Sequence, residues 1–493
     1  MSILTKAEHA PCKTGIPGLD DILNGGLPRN RLYLILGDPG VGKTTLGLQF
    51  LLEGHRTGET VLYVTLSETK DELEQVASSH GWSLSDLHVF ELSALEAQIK
   101  EETDSSFFSP SEVELHRTTK MLLSEVERVK PDRVVFDSLS ELRLLSETPL
   151  RYRRQVLHLK QFFIGRKCTA LMLDDHTADG VVDEQVASIA HGVILLLKNA
   201  PSYGVTRRHL RVEKIRGVRF REGTHDILLR TGGLIVFPRL IASEHHTTFN
   251  SKPVTSSIEN LDSLLGGGLD PGTNTIFMGP SGTGKSSLAL HFAAAAAHRG
   301  ERVLYFTFDE VLHTLLTRAG GLGLPIERFA REKKIEIHQI DPAEISPGEL
   351  AFTVKQKVQH EGTRMVIIDS LNGLFHAMPD ERHLVLQLHE LFAFLNQQGV
   401  LTLGVLAQQG VVGTVQSPVD LTYLADAVVF LRYFELKGEV RQVISVIKKR
   451  SGRHERTIRE LTMGSEGVRV GPPLTGLTGV LTGCPQINDA GRP

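Results

Sequence analysis

Two glycine-rich segments have the spacing of a loop that binds a phosphate chain. The first is Gly37-Asp38-Pro39-Gly40-Val41-Gly42-Lys43-Thr44, and the second is Gly279-Pro280-Ser281-Gly282-Thr283-Gly284-Lys285-Ser286. Both match G-x-x-x-x-G-K-[ST], whose glycines let backbone N–H groups converge on a phosphate. Lys43 and Lys285 would neutralise the charge of the β- and γ-phosphates. We predict two ATP sites. Each site includes the residue that directly follows the motif, which is Thr45 in the first and Ser287 in the second.

A Mg²⁺ ion that accompanies ATP needs oxygen ligands beside each loop. The hydroxyls of Thr44 and Ser286 close the two motifs and supply one ligand each. Asp137 and Asp369 directly follow short apolar runs. A carboxylate after a buried parallel strand lies at the sheet edge where ligands bind. We therefore predict two metal-binding pairs, Thr44 with Asp137 and Ser286 with Asp369.

Hydrolysis also requires a group that orients or deprotonates water. Glu68 and Glu310 occupy matching positions after the strand that follows each loop and its helix. We expect both near the γ-phosphate, although acids are also favoured in the first turn of a helix because of its dipole. From their positions, the predicted catalytic residues are Glu68, Glu310, Lys43 and Lys285.

The two sets of residues belong to a duplicated segment. Residues 15–68 align with residues 257–310 at a constant offset of 242, and 21 of the 54 positions are identical. Short apolar runs, such as Arg31–Leu36 and Arg133–Phe136, alternate with stretches of helical spacing. Continuous apolar strands between helices are typical of a parallel sheet buried on both faces. The sequence therefore predicts an α/β fold with two tandem P-loop domains, each a mainly parallel sheet flanked by helices.

A polar segment without periodicity, Ala242–Pro253, separates the two copies and is typical of a linker. We place the first domain at residues 1–243 and the second at residues 244–462. Residues 463–493 are rich in Gly, Pro and Thr, and they predict a flexible C-terminal tail.

Composition narrows the classes of function. The formal net charge is -4, and the three cysteines form no Cys-x-x-Cys pair of the kind found in zinc modules. Both features disfavour nucleic acid as a partner. No apolar run approaches the ~20 residues of a membrane helix, and the first residues lack the apolar core of a signal peptide. We expect a cytoplasmic protein with no membrane partner.

Several further motifs surround the two loops. They include Thr14-Gly-Ile-Pro-Gly-Leu-Asp20, Gly81-Trp82, Lys214-Ile-Arg216-Gly217, and Leu431-Arg-Tyr-Phe-Glu435 leading to Lys448-Lys-Arg450. Together with the double loop, they resemble the KaiC family of RecA-like ATPases, which includes the cyanobacterial circadian clock protein. The resemblance extends over nearly the whole chain and implies two tandem RecA-like P-loop NTPase domains.

The resemblance also implies an assembly and an activity. It implies a two-tiered homo-hexamer with ATP between neighbouring subunits, slow ATPase activity in the first domain, and serine/threonine autokinase and autophosphatase activity in the second. Lys214, Arg216, Lys448 and Arg450 match basic residues that reach the phosphates of a neighbour's ATP in this family. A signalling or clock-type role, with Kai-type or two-component signalling proteins as partners, is a further implication.

The chain departs from the family pattern at two places. The family's clock protein has paired glutamates after the second strand, and the first of them is usually assigned as the base. Here the pairs are Ser67-Glu68 and Asp309-Glu310. Serine cannot act as a carboxylate base, whereas Asp309 keeps a carboxylate on a shorter arm. The resemblance therefore adds Asp309 to the predicted catalytic residues, and we expect the chemistry to be stronger in the second domain. The family's phosphorylated Ser-Thr pair matches Thr422-Tyr423, and we predict that Thr422 is the phosphate acceptor.

Two other functions remain open. A DNA-dependent motor or recombinase shares the RecA-like core, and Arg207-Arg208-His-Leu-Arg211 is a local basic cluster, but P-loop domains occupy both halves of the chain. The second is a non-catalytic switch, in which ATP binding only drives assembly and the choice of partner; the missing acid at Ser67 is consistent with this function for the first domain. A steep salt dependence of DNA binding would support the first alternative. Turnover by variants that keep only Lys43 or only Lys285 would test the second.

Overall fold

The structure is a computed structural model that describes residues 10–92, 110–146, 148–175, 184–200, 204–376, 381–408, 410, 422–482 and 485–487. It divides into two compact units, with the main boundary between Arg239 and Leu240. Each unit is built around its own nine-stranded sheet. Among the described residues, no helix is both long and apolar enough to cross a membrane.

The first unit contains the elements that carry the first loop. Its strands are β1 (Leu32–Gly37), β2 (Val61–Thr65), β3 (His88–Glu91), β4 (Arg133–Asp137), β5 (Thr169–Asp175), β6 (Gly192–Asn199), β7 (Arg207–Ile215), β8 (Thr224–Arg230) and β9 (Gly233–Phe237). Its helices are α1 (Pro17–Ile22), α2 (Lys43–Arg56), α3 (Lys70–Ser79), α4 (Pro110–Val129), α5 (Leu139–Leu145), α6 (Pro149–Gly165) and α7 (Glu184–Ile189).

The second unit repeats this arrangement. Its strands are β10 (Asn274–Gly279), β11 (Arg302–Thr307), β12 (Ile335–Gln339), β13 (Thr363–Asp369), β14 (Leu401–Ala407), β15 (Ala427–Leu436), β16 (Glu439–Lys449), β17 (Arg459–Gly464) and β18 (Gly467–Pro473). Its helices are α8 (Glu259–Leu264), α9 (Lys285–His298), α10 (Leu312–Gly321), α11 (Ile326–Arg331), α12 (Pro347–Glu361), α13 (Leu371–His376) and α14 (Glu381–Gln397). Two short strands, β19 (Leu477–Thr478) and β20 (Gln486–Ile487), pair near the C-terminus.

The two nine-stranded sheets have the same topology. The first has the order β3-β2-β4-β5-β1-β6-β7-β8-β9, and the second has β12-β11-β13-β14-β10-β15-β16-β17-β18. The first six strands of each order are parallel, and the last three continue antiparallel. The loop strand, β1 or β10, lies inside the parallel part, so its carboxyl end faces the edge where ligands bind in such folds.

Hydrophobic residues cover both faces of each sheet, as the continuous apolar strands predict. In β1, Tyr33 and Ile35 pack into one core cluster, whereas Leu32, Leu34 and Leu36 pack into another. In β10, Phe277 lies in one cluster, and Ile276 and Met278 lie in the other. The α/β prediction, with two mainly parallel sheets flanked by helices, is confirmed.

The C-terminal region differs from the predicted tail. Strand β17 ends at Gly464, and β18 pairs with it as the outer strand of the second sheet. Val468 and Val470 point into the core, and Val480 packs beside Phe434. The prediction of a flexible tail from residue 463 is therefore wrong for residues 463–473. The alternating valines, which have the period of a strand buried on one face, outweigh the Gly and Pro content.

Candidate functional site

The first loop connects β1 to α2 in a conformation that requires glycine. Gly40 and Gly42 have φ angles of 73° and 114°, which side-chain-bearing residues rarely adopt. A Cβ atom on Gly37 would lie 2.8 Å from the Leu196 carbonyl oxygen. Helix α2 begins at Lys43, so its amino end, with the free N–H groups of its first turn, follows the loop directly.

The second loop has the same backbone. Gly282 and Gly284 have φ angles of 81° and 96°. A Cβ atom on Gly279 would lie 2.1 Å from the Leu431 carbonyl oxygen, so only glycine fits there. Helix α9 begins at Lys285, at the same point of the motif as Lys43 in α2. Both segments are thus shaped as cradles for an anion.

The other loop residues have structural contacts of their own. In the first loop, the carbonyls of Asp38 and Pro39 accept hydrogen bonds from Lys43 and Lys198, and Val41 is buried in the core.

In the second loop, Thr283 Oγ1 donates to the Pro280 carbonyl at 2.8 Å, and the Ser281 carbonyl accepts a hydrogen bond from Tyr433. The residues after the two motifs lie at the same place in each copy: Thr45 contacts His80, and Ser287 contacts Arg318.

Each predicted metal-binding pair lies together. Thr44 Oγ1 donates to Asp137 Oδ2 at 3.0 Å, and Ser286 Oγ donates to Asp369 Oδ1 at 3.0 Å. Burial raises the pKa of both aspartates, and the hydrogen bonds they accept oppose that rise. Both aspartates end a strand, and each is followed by a cis peptide bond.

Two tyrosines that the sequence analysis missed complete these pairs. The hydroxyl of Tyr63 donates to Asp137 Oδ2 at 2.6 Å, and that of Tyr305 donates to Asp369 Oδ2 at 2.6 Å. Both side chains are fully buried. The repeated Val-Leu-Tyr in β2 and β11 was the available signal, because a buried tyrosine hydroxyl needs a hydrogen-bond partner.

The two loop lysines have different surroundings. Lys43 Nζ donates to the carbonyls of Gly37 at 2.8 Å and Asp38 at 3.1 Å, and it pairs with Asp175 at 2.8 Å. Lys285 Nζ donates to the Pro280 carbonyl at 2.6 Å, and no carboxylate of the described residues forms an ion pair with it. Burial lowers the pKa of Lys285 to about 8, and the charge of Asp369 opposes the shift.

The predicted catalytic acids also differ. Glu68 is half-buried, and within the described part of the chain its Oε2 atom has no hydrogen-bond partner. Burial and then the charge of Asp137 raise the pKa of Glu68. In the second copy, Glu310 pairs with Arg318 at 2.6 Å, and the exposed Asp309 accepts a hydrogen bond from Ser370.

A cavity of about 790 Å³ lies over the second loop. Its lining includes Lys285, Ser286, Asp309, Glu310, Arg318 and Asp369, so most of the predicted groups of this copy meet around one space. This volume is within the ~300–1,000 Å³ that is common for small-molecule sites. Met463, Gly464 and Ser465, at the start of the predicted tail, also line this cavity.

The four predicted basic residues lie away from the loop of their own unit. Lys214 pairs in register with Val193, which is level with Leu34 near the amino end of β1. In the second unit, Lys448 is likewise level with Ile276. The loops follow the opposite, carboxyl ends of β1 and β10. Strands β7 and β16 run antiparallel to β6 and β15. Arg216 and Arg450, which follow the lysines in the chain, therefore lie still farther from the loops.

The contacts of these residues are mostly to backbone carbonyls. Lys214 Nζ donates to Ala187 O, and Arg216 donates to Ser188 O at 2.8 Å. Lys448 Nζ donates to the carbonyl of Thr422, the predicted phosphate acceptor, at 2.7 Å.

Arg450 donates to the Tyr423 carbonyl at 3.1 Å and pairs with Asp426 at 3.4 Å. Thr422 therefore lies beside Lys448 and Arg450, at the sheet edge away from the second loop.

The observed groups fit a nucleotide with Mg²⁺. A Cβ atom on Gly37, Gly279 or Gly282 would collide with a neighbouring atom. In each loop, a hydroxyl and a carboxylate are paired next to the loop lysine. The described residues contain no group of three or more His, Cys, Asp or Glu that could hold a metal alone. A Mg²⁺ ion would therefore also need phosphate and water oxygens, as is usual for this ion.

The repeated strand–loop–helix units define a protein with two P-loop nucleotide-binding domains of the RecA-like α/β class. A family model described as "ATPase: KaiC" matches residues 12–241 and again residues 254–475. The chain therefore belongs to the KaiC family of ATPases.

Curated relatives are similar over most of their length. The circadian clock protein KaiC3 of Synechocystis sp. is 26% identical over 96% of this chain and 94% of its own length. The circadian clock protein KaiC2 of the same organism is 26% identical over 97% of this chain and 84% of its own. The circadian clock oscillator protein KaiC of Parathermosynechococcus lividus is 26% identical over 97% of this chain and 88% of its own length.

Proposed function

We propose that this KaiC-family ATPase binds ATP with Mg²⁺ at two unequal sites, hydrolyses it slowly, and autophosphorylates on Thr422 through its second domain. The observation that carries the proposal is the second cavity, where Lys285, Ser286 and Asp369 surround one space together with the two acids Asp309 and Glu310. Mg²⁺ would be held by Thr44 with Asp137 in the first site and by Ser286 with Asp369 in the second. When bound, this ion neutralises part of the phosphate charge.

The second domain is the better candidate for phosphoryl transfer. Asp309 and Glu310 both line its cavity, whereas the first domain has Ser67 at the position of Asp309. Arg318 holds Glu310 through two hydrogen bonds, at 3.1 and 2.6 Å. A carboxylate fixed in this way is positioned to accept a proton from an attacking hydroxyl or water.

An assembly in which neighbours complete each site is supported by the basic residues. Lys214 and Arg216 lie near Lys160, and these cations lower the pKa of the lysines in addition to burial. A cluster of mutually repelling cations favours an anion between them. Because this cluster lies at the far edge from its own loop, the phosphates of a neighbouring subunit are the matching anion. We propose a homo-hexamer with ATP at the subunit interfaces.

The position of Thr422 supports transfer between subunits. Asp426 donates to Asn274 O at the amino end of β10, whereas the loop follows Gly279 at the carboxyl end. These ends are about 16 Å apart, because a strand rises ~3.3 Å per residue. Thr422 Oγ1 would attack the γ-phosphorus of a neighbour's ATP, the bond to ADP would break, and the hydroxyl proton would pass to Asp309 or Glu310 of the partner subunit.

The biological setting follows from the relatives. Their names describe circadian clock proteins. We propose that this chain is a signalling or clock-type regulator whose phosphorylation state is read by Kai-type or two-component signalling partners.

The test is phosphate incorporation from γ-labelled ATP with Mg²⁺, together with ATP hydrolysis and oligomer size. We expect Lys285→Ala to abolish incorporation, and Lys43→Ala to retain it while weakening assembly. Thr422→Ala should lose the label, whereas the matched Tyr423→Phe should keep it. Label that persists in Thr422→Ala would contradict the assignment of the acceptor, and no label in the natural protein would contradict the kinase activity.

A non-catalytic switch in the first domain is a second candidate. Ser67 removes one acid there, and the loop lysine is occupied by Asp175. In this case Lys285→Ala, which leaves only the first site, would bind ATP and assemble but show no turnover.

A further inference from the structure

The first domain has an acid beside its loop that the second lacks. In the parallel pairing of β1 with β5, Gly37 lies level with Asp175. In the equivalent pairing of β10 with β14, Gly279 lies level with Ala407. The strand ends therefore place a carboxylate next to Lys43 and a methyl group next to Lys285.

The position of Asp175 is held by neighbouring side chains. The single hydroxyl hydrogen of Ser140 lies within reach of two acceptors, Asp174 Oδ1 at 2.9 Å and Asp175 Oδ2 at 3.1 Å. Asp174 is buried, pairs with Arg143 at 2.5 Å and accepts a hydrogen bond from Tyr152. This network fixes the end of β5 and directs the next residue, Asp175, towards the loop.

The second domain fills the same place without a charge. Asn372, the counterpart of Ser140, donates to the Ala407 carbonyl at 2.9 Å and accepts from the Ala407 N–H at 2.6 Å. The end of β14 is thus held by an amide, and Lys285 has only the Pro280 carbonyl as a hydrogen-bond acceptor among the described residues.

We propose that Asp175 is a built-in counterion that occupies Lys43 until a nucleotide displaces it. The phosphate chain and the Asp175 carboxylate compete for the same ammonium group, and they repel each other once the phosphates are bound. The first site therefore binds ATP more weakly than its loop alone would, and the second site lacks this restraint. The inference requires nucleotide binding by the first domain but not the kinase activity proposed above.

The experiment uses the full chain with Lys285→Ala, so that only the first site retains its loop lysine. Binding of a fluorescent, non-hydrolysable ATP analogue with Mg²⁺ is compared with and without Asp175→Asn, which keeps the side-chain shape. We expect the analogue to bind about tenfold more tightly in Asp175→Asn, since removal of one adjacent like charge changes affinity on this scale. Glu91→Gln, at the end of β3 and without contact to Lys43, is the charge-matched control and should change binding by less than about twofold.

The reciprocal change tests the same idea in the other domain. In full-length Lys43→Ala, we expect Ala407→Asp to weaken the second site about tenfold, because it recreates the competing carboxylate. Equal or weaker binding in Asp175→Asn overturns the proposal, as does an unaltered second site in Ala407→Asp. If the parent Lys285→Ala binds too weakly to measure, binding that emerges in Asp175→Asn is the expected result, and its continued absence overturns the proposal.

Discussion

The two nucleotide sites of this chain share their backbone and differ in their charges. Both have the glycine cradle, the hydroxyl–aspartate pair and the buried tyrosine that donates to that aspartate. Only the second has an acid at the position of Ser67, and only the first has an acid at the position of Ala407. After a duplication, the phosphate-binding backbone has been kept while the carboxylates around it have diverged.

The third difference concerns the glutamate that both copies retain. Arg318 on α10 pairs with Glu310, whereas the aligned residue on α3 is Val76, which leaves Glu68 without that cation. Burial and the charge of Asp137 then raise the pKa of Glu68, and no ion pair within the described part of the chain opposes the shift. One arginine thus separates a carboxylate that an ion pair holds in place from a carboxylate whose pKa is raised by burial.

The largest expected effect concerns the acid pair. Asp309→Asn should lower turnover and phosphate incorporation at the second site by about 10²–10⁴-fold, the usual contribution of a positioned acid–base group. Single-turnover measurements in Lys43→Ala isolate this site. The matched change Ser67→Ala should leave the first site within about twofold, because serine provides no carboxylate.

Ser67→Asp tests the comparison in the other direction. In Lys285→Ala, it should increase hydrolysis at the first site if the missing acid limits that site. Unchanged turnover in Asp309→Asn would show that the difference at this position does not separate the two sites.

Much of this arrangement could be predicted from the sequence, because it depends on local patterns. Glycine spacing placed both loops, and the position of an aspartate after an apolar strand placed Asp137 and Asp369 beside Thr44 and Ser286. The C-terminal strand β18 was missed because its glycine and proline content resembled a tail.

The contacts that distinguish the sites were harder to predict. Asp175 meets Lys43 only because β5 is adjacent to β1 in the sheet, although 132 positions separate these residues in the chain. The pairing of Glu310 with Arg318 depends on how α10 is oriented after its strand. Such contacts follow from strand order and register, which short motifs do not encode.

An intermediate effect is expected from the tyrosines that the two sites share. Tyr305→Phe and Tyr63→Phe keep the ring but remove the 2.6 Å hydrogen bond to the aspartate. We expect each to weaken divalent-metal binding at its own site by about tenfold, as losing a partner of a metal ligand commonly does. Mn²⁺ titration followed by electron paramagnetic resonance, with a non-hydrolysable ATP analogue present, measures this directly.

Tyr33→Phe provides the control for the tyrosines. Tyr33 lies in β1, and its hydroxyl donates to the carbonyl of Pro28, which precedes that strand, and not to an aspartate. Metal affinity should therefore be unchanged. Equal effects of Tyr33→Phe and Tyr63→Phe would mean that the loss reflects packing and not the position of Asp137.

The smallest expected effect is the exchange of a single proton at Lys285. Its pKa of about 8 means that the nucleotide-free side chain becomes neutral as the pH rises through 8. An unfolded lysine keeps its proton until about pH 10.4. Between these values the unfolded chain binds more protons, so the nucleotide-free folded protein gains stability as the pH rises. Phosphates favour the charged form, so ATP binding must restore the proton, and affinity at the second site should fall with rising pH above 8.

Calorimetry of ATP binding to Lys43→Ala in two buffers of different ionisation enthalpy detects this proton. At about pH 9, where lysine is neutral in the empty site, we expect an uptake approaching one proton per ATP, and at about pH 7 an uptake near zero from this residue. A variant that copies Asp175 into the second site sharpens the comparison. Ala407→Asp would place a carboxylate beside Lys285, and this carboxylate would stabilise the charged form of the lysine before ATP binds. Proton uptake at about pH 9 should then decrease in Ala407→Asp; if it does not, the neighbouring carboxylate is not what distinguishes the two lysines.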